Sequence, residues 1–226
     1  MERLARLGAD IVSCRACPRL VAWREQVATE KRAAFRNEVY WGRPVTGFGD
    51  PAARIVVVGL APAAHGANRT GRVFTGDRSG DWLFAALHRA GLANQATSVS
   101  ADDGLELRDT WVGAAVRCAP PANKPTPEER DRCGGFLVRE LDALTGARVI
   151  VALGRFAYDI VTRLVAIRPR PAFSHGAEAF APSGMAVVAS YHPSQQNTFT
   201  GTLTEAMFDA VFSRATVLAG AVAPGG

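Results

Sequence analysis

Hydrophobic positions cluster in four short runs along the chain: Arg54–Leu60 (RIVVVGL), Thr110–Cys118 (TWVGAAVRC), Arg148–Leu153 (RVIVAL) and Ala186–Tyr191 (AVVASY). Each is rich in Val, Ile and Ala and stops at Gly, Pro or polar residues, the pattern of parallel strands covered on both faces. Between them the apolar spacing becomes helical. Over Ser79–Ala90 it places Trp82, Leu83, Ala86, Leu87 and Ala90 on one face. Pro127–Leu144 opens with Thr126 as a cap, a proline in the first turn and the acidic pair Glu128 and Glu129, all helix-start signals. Arg155–Leu164 and Leu203–Leu218 complete the series. Strand and helix alternating in this order predict a three-layer α/β/α domain on a central four-stranded parallel sheet. No internal repeat divides the chain, so residues 1–226 read as one domain. The first dozen residues and the Ala/Gly/Pro-rich end after Leu218 read as tails.

Sheets of this kind bind ligands in the crevice beyond the carboxyl ends of their strands. The polar loops fall there: APAAHGANRTGRVFTGD after the first strand, APPANKPTPEE after the second and HPSQQN after the fourth. They define one composite site.

Composition narrows the class. Of 226 residues 48% are hydrophobic and 21% charged, which suits a folded domain that needs no disulfide staples. No apolar run reaches the length of a membrane span. Glu2, Arg3 and Arg6 interrupt the N-terminus, so no secretory signal is expected there and the cytoplasm is the expected compartment. The net charge of +5 permits an anionic partner without requiring one.

The four cysteines are more informative. Cys14 and Cys17 form a C-x-x-C pair, Cys118 ends the second strand run, and Cys133 lies in the helix that follows. A strand end and its following helix are close enough for two thiols to face one point, and the N-terminal pair would clamp the first segment onto that edge. In a reducing compartment, an all-cysteine set suits a [4Fe–4S] cluster or zinc. Cys118 and Cys133 do not form the second knuckle of a zinc ribbon, which favours iron–sulfur, in a structural role. Separate buried thiols are the third reading.

The segments Gly59–Asp77 (GLAPAAHGANRTGRVFTGD), Arg117–Glu129 (RCAPPANKPTPEE) and Tyr191–Thr198 (YHPSQQNT), with the cysteine spacing, resemble the family 5 uracil-DNA glycosylases. CRACPRLVAWRE (Cys14–Glu25) and YWGRPVTGFGDP (Tyr40–Pro51) extend the similarity over nearly the whole chain. The resemblance implies an iron–sulfur enzyme that hydrolyses the N-glycosidic bond of uracil, and often of other deaminated bases such as hypoxanthine, in DNA. It assigns His192 as donor to the departing base.

Base removal requires flipping the nucleotide out of the duplex, then breaking a C–N bond as negative charge builds on the base and positive charge on the sugar. Asp77 is the candidate carboxylate near the sugar, with a helix N-cap as its competing role. Leu60 and Ala61 lie at the pocket, where the first motif carries no water-activating side chain. Phe74 is placed to stack on the base. Asn123 is the candidate base reader, since a carboxamide complements the adjacent N3–H donor and O4 acceptor of uracil. Its position in a loop, with Ala114 and Ala115 in the strand, suggests a roomier pocket. Ser194, Gln195, Gln196 and Asn197 are wedge candidates, and Arg69, Arg72 and Lys124 are phosphate candidates. Lys31–Arg43, with Arg32, Arg36 and Arg43 among aromatics, either extends the DNA surface or packs as an arm on the core. His65 could position water or a phosphate. The expected partner is DNA containing deaminated bases, bound by a monomer; the competing class is a metal-stabilised nucleic-acid-binding module without catalysis.

Overall fold

A computed structural model describes residues 2–220. In chain order they form α1 (Glu2–Ser13), α2 (Pro18–Glu30), β1 (Phe48–Gly49), β2 (Ile55–Gly59), α3 (Ala67–Thr70), α4 (Arg78–Arg89), β3 (Thr110–Ala114), α5 (Pro127–Ala143), β4 (Val149–Leu153), α6 (Arg155–Leu164), β5 (Glu178–Phe180), β6 (Ala186–Ser190), α7 (Gln195–Phe199) and α8 (Glu205–Leu218). The strands form one sheet in the order β1-β3-β2-β4-β6-β5. The central four are parallel and are the four expected from the apolar runs; β1 and β5 add antiparallel edges. Those edges are two and three residues long, too short for any periodicity to announce them.

All residues of the central strands are buried, and their side chains alternate between two cores. Val57, Val112, Val151 and Val188 face Leu83, Leu87, Phe208 and Phe212 of α4 and α8. Val56, Val58, Ile150 and Val187 face Leu137, Tyr158 and Val161 of α5 and α6. This period-two division makes the three layers. β3 and β4 lie on opposite sides of β2, so the order reverses at the end of β2, the switch point at which sheets of this kind bind ligands.

The N-terminus corrects an expectation: residues 2–13 are a helix rather than a tail. Leu4, Leu7 and Ile11 recur at helical spacing, and Leu7 and Ile11 are buried. α1 packs on α5, where Arg139 pairs with Asp10. The charges that interrupt the linear run lie off the buried face. The tail expected after Leu218 falls outside the described residues from 221 onward.

Candidate active site

The loop leaving β2 holds Phe74 in a left-handed backbone conformation (φ +54°), which costs a bulky residue about 1–3 kcal/mol and persists only where surroundings enforce it. Two arginines do so. Arg72 is buried and donates to Thr75 Oγ1 (3.0 Å), Ser98 Oγ (2.8 Å), Asp103 Oδ1 (2.7 Å) and the Ala101 carbonyl (3.1 Å). Arg69, also buried, donates to the carbonyls of His65 (2.8 Å) and Gly76 (3.0 Å), pairs with Glu38 and lies 4.0 Å over the Phe35 ring. Both were expected at DNA phosphates. Their guanidinium groups are instead buried and committed to loop architecture.

The shape so enforced places the Phe74 ring over the end of β2. A Cβ on Gly59 would stand 2.6 Å from Phe74 Cζ, so only glycine permits this approach. The ring centroid lies 6.2 Å from that of His192, with the planes tilted by 32°. His192 follows β6 directly. Asn197 Nδ2 donates to its carbonyl (2.9 Å), and Ser194 caps α7 by accepting from the Asn197 amide (3.3 Å). Burial pushes the His192 pKa down to about 4, so the ring is neutral at neutral pH. Ser194 and Asn197 thus use their side chains to shape the loop, while Gln195 and Gln196 are exposed. His175, with no motif to mark it, accepts from the Tyr191 amide (3.1 Å) and contacts the Met207 carbonyl through Nε2 (3.2 Å). With Nδ1 accepting, the proton sits on Nε2, and His175 braces the residue before His192.

Asp77 caps α4: its Oδ1 accepts from the Gly80 amide (3.0 Å). Its other oxygen, Oδ2, leaves no room for a side chain on Gly66, where a Cβ would lie 2.1 Å away. Burial raises its pKa above the ordinary carboxylate range, and the amides of Gly80 and Ser79 oppose that rise only in part.

Asn123, on the 3₁₀ turn Pro121–Asn123, and Lys124, just after it, are exposed, and Ala122 and Asn123 both have positive φ. Among the described residues neither side chain has a hydrogen-bond partner, so both are free to meet a ligand. Arg19 of α2 anchors this turn, donating to Glu129 (2.8 and 2.6 Å) and to the Lys124 carbonyl (3.1 Å). Glu129 in turn completes the capping box with Thr126 at the start of α5. Leu60 and Ala61 are half-buried. The Leu60 carbonyl accepts from Val116 (2.8 Å), carrying the β2–β3 pairing past both strands.

The segment Lys31–Arg43 is an arm on the core: Trp41 and Gly42 donate to the carbonyls of Arg69 (2.9 Å) and Asn68 (3.0 Å). Arg32, Arg36 and Arg43 remain exposed on it. Tyr40 Oη lies 3.1 Å from His65 Nδ1, so the arm borders the β2 loop.

All four cysteines line one small apolar cavity with Leu20, Val21 and Phe136. Ala61 packs on the same group, so the thiols sit directly behind the first loop of the crevice. Arg24, 2% exposed, donates to Cys118 Sγ (2.9 Å) and to the Cys14 carbonyl (3.3 Å); its nearest carboxylate, on half-exposed Glu25, is 3.8 Å away. The Arg117 amide donates to Cys133 Sγ (3.3 Å). As free thiols, Cys118 and Cys133 are pushed up by burial, Cys133 to about 11. A buried guanidinium aimed at a protonated thiol is poorly compensated, whereas an anionic thiolate-bound group would match it. Among the described residues no three His, Cys, Asp or Glu side chains converge as ligands of one ion would; the thiols stand around the cavity walls.

The sheet and the loops at its strand ends are those of a DNA glycosylase. The chain belongs to the uracil DNA glycosylase superfamily, whose family profile matches residues 46–216. It is 55% identical over 220 residues to a type-5 uracil-DNA glycosylase of Mycobacterium leprae (strain TN), covering 96% of each protein. It is 54% identical over 211 residues to the type-5 enzyme of Thermus thermophilus, covering 93% of this chain and 95% of that one. For the type-5 enzyme of Pyrobaculum aerophilum the identity is 48% over 210 residues, with 93% and 91% covered.

Proposed function

We propose that this chain is a monofunctional, single-domain uracil-DNA glycosylase that opens base-excision repair by hydrolysing the bond between uracil and deoxyribose. One observation carries the reading: His192 is held neutral beside Phe74 at the sheet switch point. The flipped base stacks on Phe74. As the C–N bond breaks, its electron pair moves onto uracil, and the neutral imidazole donates a hydrogen bond to the carbonyl oxygen where charge accumulates. A fixed donor of this kind is worth roughly 100- to 1,000-fold in rate. Water adds its oxygen to the sugar carbon and passes a proton to the Asp77 carboxylate, which also offsets the positive charge there, while the departed uracil anion takes a proton from solvent. Asn123 pairs with the uracil edge from an exposed turn, which suits a pocket that also takes hypoxanthine. Leu60 and Ala61 line the floor. Gln195, Gln196 and Lys124 meet the DNA.

Cys14, Cys17, Cys118 and Cys133 would hold a [4Fe–4S] cluster, a group whose ligands surround it as these do, better than one zinc ion. When bound, the cluster would supply cross-linking of the α1–α2 connection, the loop after β3 and α5 rather than chemistry on the base. The enzyme works as a monomer in the cytoplasm. Among the described residues no helix is long and apolar enough to cross a membrane. Excision measured across duplexes carrying uracil, hypoxanthine, xanthine or thymine mispairs tests the reading. Uracil and at least one deaminated purine should be released; release of none would leave a metal-stabilised binding module.

A further inference from the structure

The loop after β2 spends its own arginines on its shape, since Arg69 and Arg72 are buried and bonded within the protein. Unspent positive charge stands instead on the arm that borders it. Residues 31–43 carry Lys31, Arg32, Arg36 and Arg43 against one acid, Glu38, so more than half of the net charge of +5 falls in this segment. Glu38 is itself paired with Arg69. Lys31 Nζ is occupied, donating to the carbonyls of Glu38 (2.7 Å) and Arg36 (3.4 Å), and Arg43 lies over Trp41, 5.7 Å from the ring centroid. Arg32 and Arg36 remain. Both are exposed, and among the described residues neither guanidinium has a hydrogen-bond or ion-pair partner.

The arm is anchored beside the candidate site. The Phe35 and Glu38 amides donate to the carbonyls of Arg32 (2.8 Å) and Phe35 (3.0 Å), while the Trp41 and Gly42 amides fix its far end to the β2 loop. Tyr40, 8% exposed, ties Arg32 to that loop: its Oη accepts from the Arg32 amide (3.4 Å) and lies 3.1 Å from His65 Nδ1. Burial, and then the charges of Arg32 and Arg69, push the His65 pKa down, so the Arg32 charge reaches the same histidine. Gly66, next to His65, abuts Asp77 Oδ2. The arm precedes residues 46–216, the span matched by the superfamily profile, so it adds to what that profile defines.

From this placement we propose that Arg32 and Arg36 grip the phosphate backbone of duplex DNA beside the flipped nucleotide, extending the bound length past the loops at the strand ends. The inference rests on the glycosylase reading, which supplies DNA as the partner. An arginine that neutralises a phosphate releases condensed counterion, so its contribution is independent of sequence and falls with salt. Such contacts fix register on the duplex without reading bases, which suits removal of a single base whatever its neighbours. Unpaired guanidinium groups on a backbone-anchored arm keep their donors free for phosphate oxygens, which they meet in bidentate fashion.

The test measures binding, by anisotropy, to a duplex whose target is 2′-fluoro-deoxyuridine, which resists cleavage, as salt is raised. Wild type is compared with Arg32→Ala, Arg36→Ala, the double variant, Arg32→Lys and Arg148→Ala. Arg148 is also exposed but directly precedes β4, at the opposite end of the sheet, so it controls for net charge alone. All three arginines are surface side chains, so the fold tolerates each change. Each arm alanine should lower the slope of log affinity against log salt by about 0.9, and the double variant by about 1.8. Arg32→Lys should keep the slope, and Arg148→Ala should leave it at the wild-type value. Neutral methylphosphonates placed singly along each strand then locate the contact. At one position wild type should lose what Arg32→Ala has lost, and that variant should lose nothing more. Unchanged slopes in the arm variants, an equal fall with Arg148→Ala, or additive losses at every methylphosphonate overturn the proposal. If wild type frees no uracil from the matching deoxyuridine duplex, the glycosylase reading fails, while the slopes still decide whether the arm holds DNA.

Discussion

Asp77 has two roles that substitutions separate. Its Oδ1 caps α4 at the Gly80 amide, 3.0 Å away, and in the proposed reaction its charge serves the sugar. Asp77→Ala removes both. Loss of an N-cap costs about 1 kcal/mol, which lowers Tm by roughly 2–4 °C in a domain of this size. Asp77→Asn keeps an equally good cap and removes only the charge. If the carboxylate acts in the reaction, Asn should lose about 100- to 10,000-fold in single-turnover rate, as general catalysts do, without a fall in Tm. pH sharpens the contrast. Burial raises the Asp77 pKa, so its stabilising share is complete at low pH and is lost as pH rises through the folded-state value. The Tm of the Asn variant should therefore gain on wild type as pH rises through that window. Wild-type rate should fall on acidification before an ordinary carboxylate would titrate. Gly66→Ala, whose Cβ would press on Oδ2, should reproduce part of the rate loss by displacing the same group. The assays are thermal melting and uracil release from a single-uracil duplex. An Asn variant with wild-type rate would reduce Asp77 to a cap.

Other consequences are as direct. His192→Ala should cut excision by roughly 100- to 1,000-fold while leaving DNA affinity, measured by anisotropy, nearly unchanged. Because the His192 pKa is about 4, folded protein resists protonation there, and its share of stability should be lost as pH falls from about 6.5 towards 4; the Ala variant should lack that share in an acid melting series. Glu140→Ala strands Arg117, which is 1% exposed and bonded to Glu140 at 3.1 and 2.6 Å, and should lower Tm by about 6–20 °C. Cys118→Ser should bleach the brown absorption expected of the purified protein and lower its Tm; a colourless wild type containing zinc would refute iron. Borohydride should trap no covalent adduct with uracil DNA, since water rather than Lys124 attacks.

The four central strands and their helices were legible because buried parallel strands are continuous apolar runs whose ends are marked by Gly and Pro. The arrangement of the candidate site was legible for the same reason: His192, Phe74 and Asp77 lie in loops at strand ends, and the fold brings the Phe74 and His192 rings within 6.2 Å. Arg69 and Arg72 misled because a basic residue in a polar loop looks the same whether it faces solvent or ties the loop together. Only the positions of Glu38, Ser98 and Asp103, all distant in sequence, decide between the two. Helix α1 had a detectable signal in Leu4, Leu7 and Ile11, masked by reading the charges linearly rather than around a helix. Arg19, Arg24 and His175 carried none, because each acts on a partner between 16 and 110 residues away.

The central claim is that the crevice at the end of β2 cleaves the bond to uracil. Wild-type protein incubated with a duplex holding one uracil should release free uracil and leave an alkali-labile abasic site, while His192→Ala binds the same duplex without doing so. Wild-type protein that binds this duplex tightly and yields neither product would contradict the account.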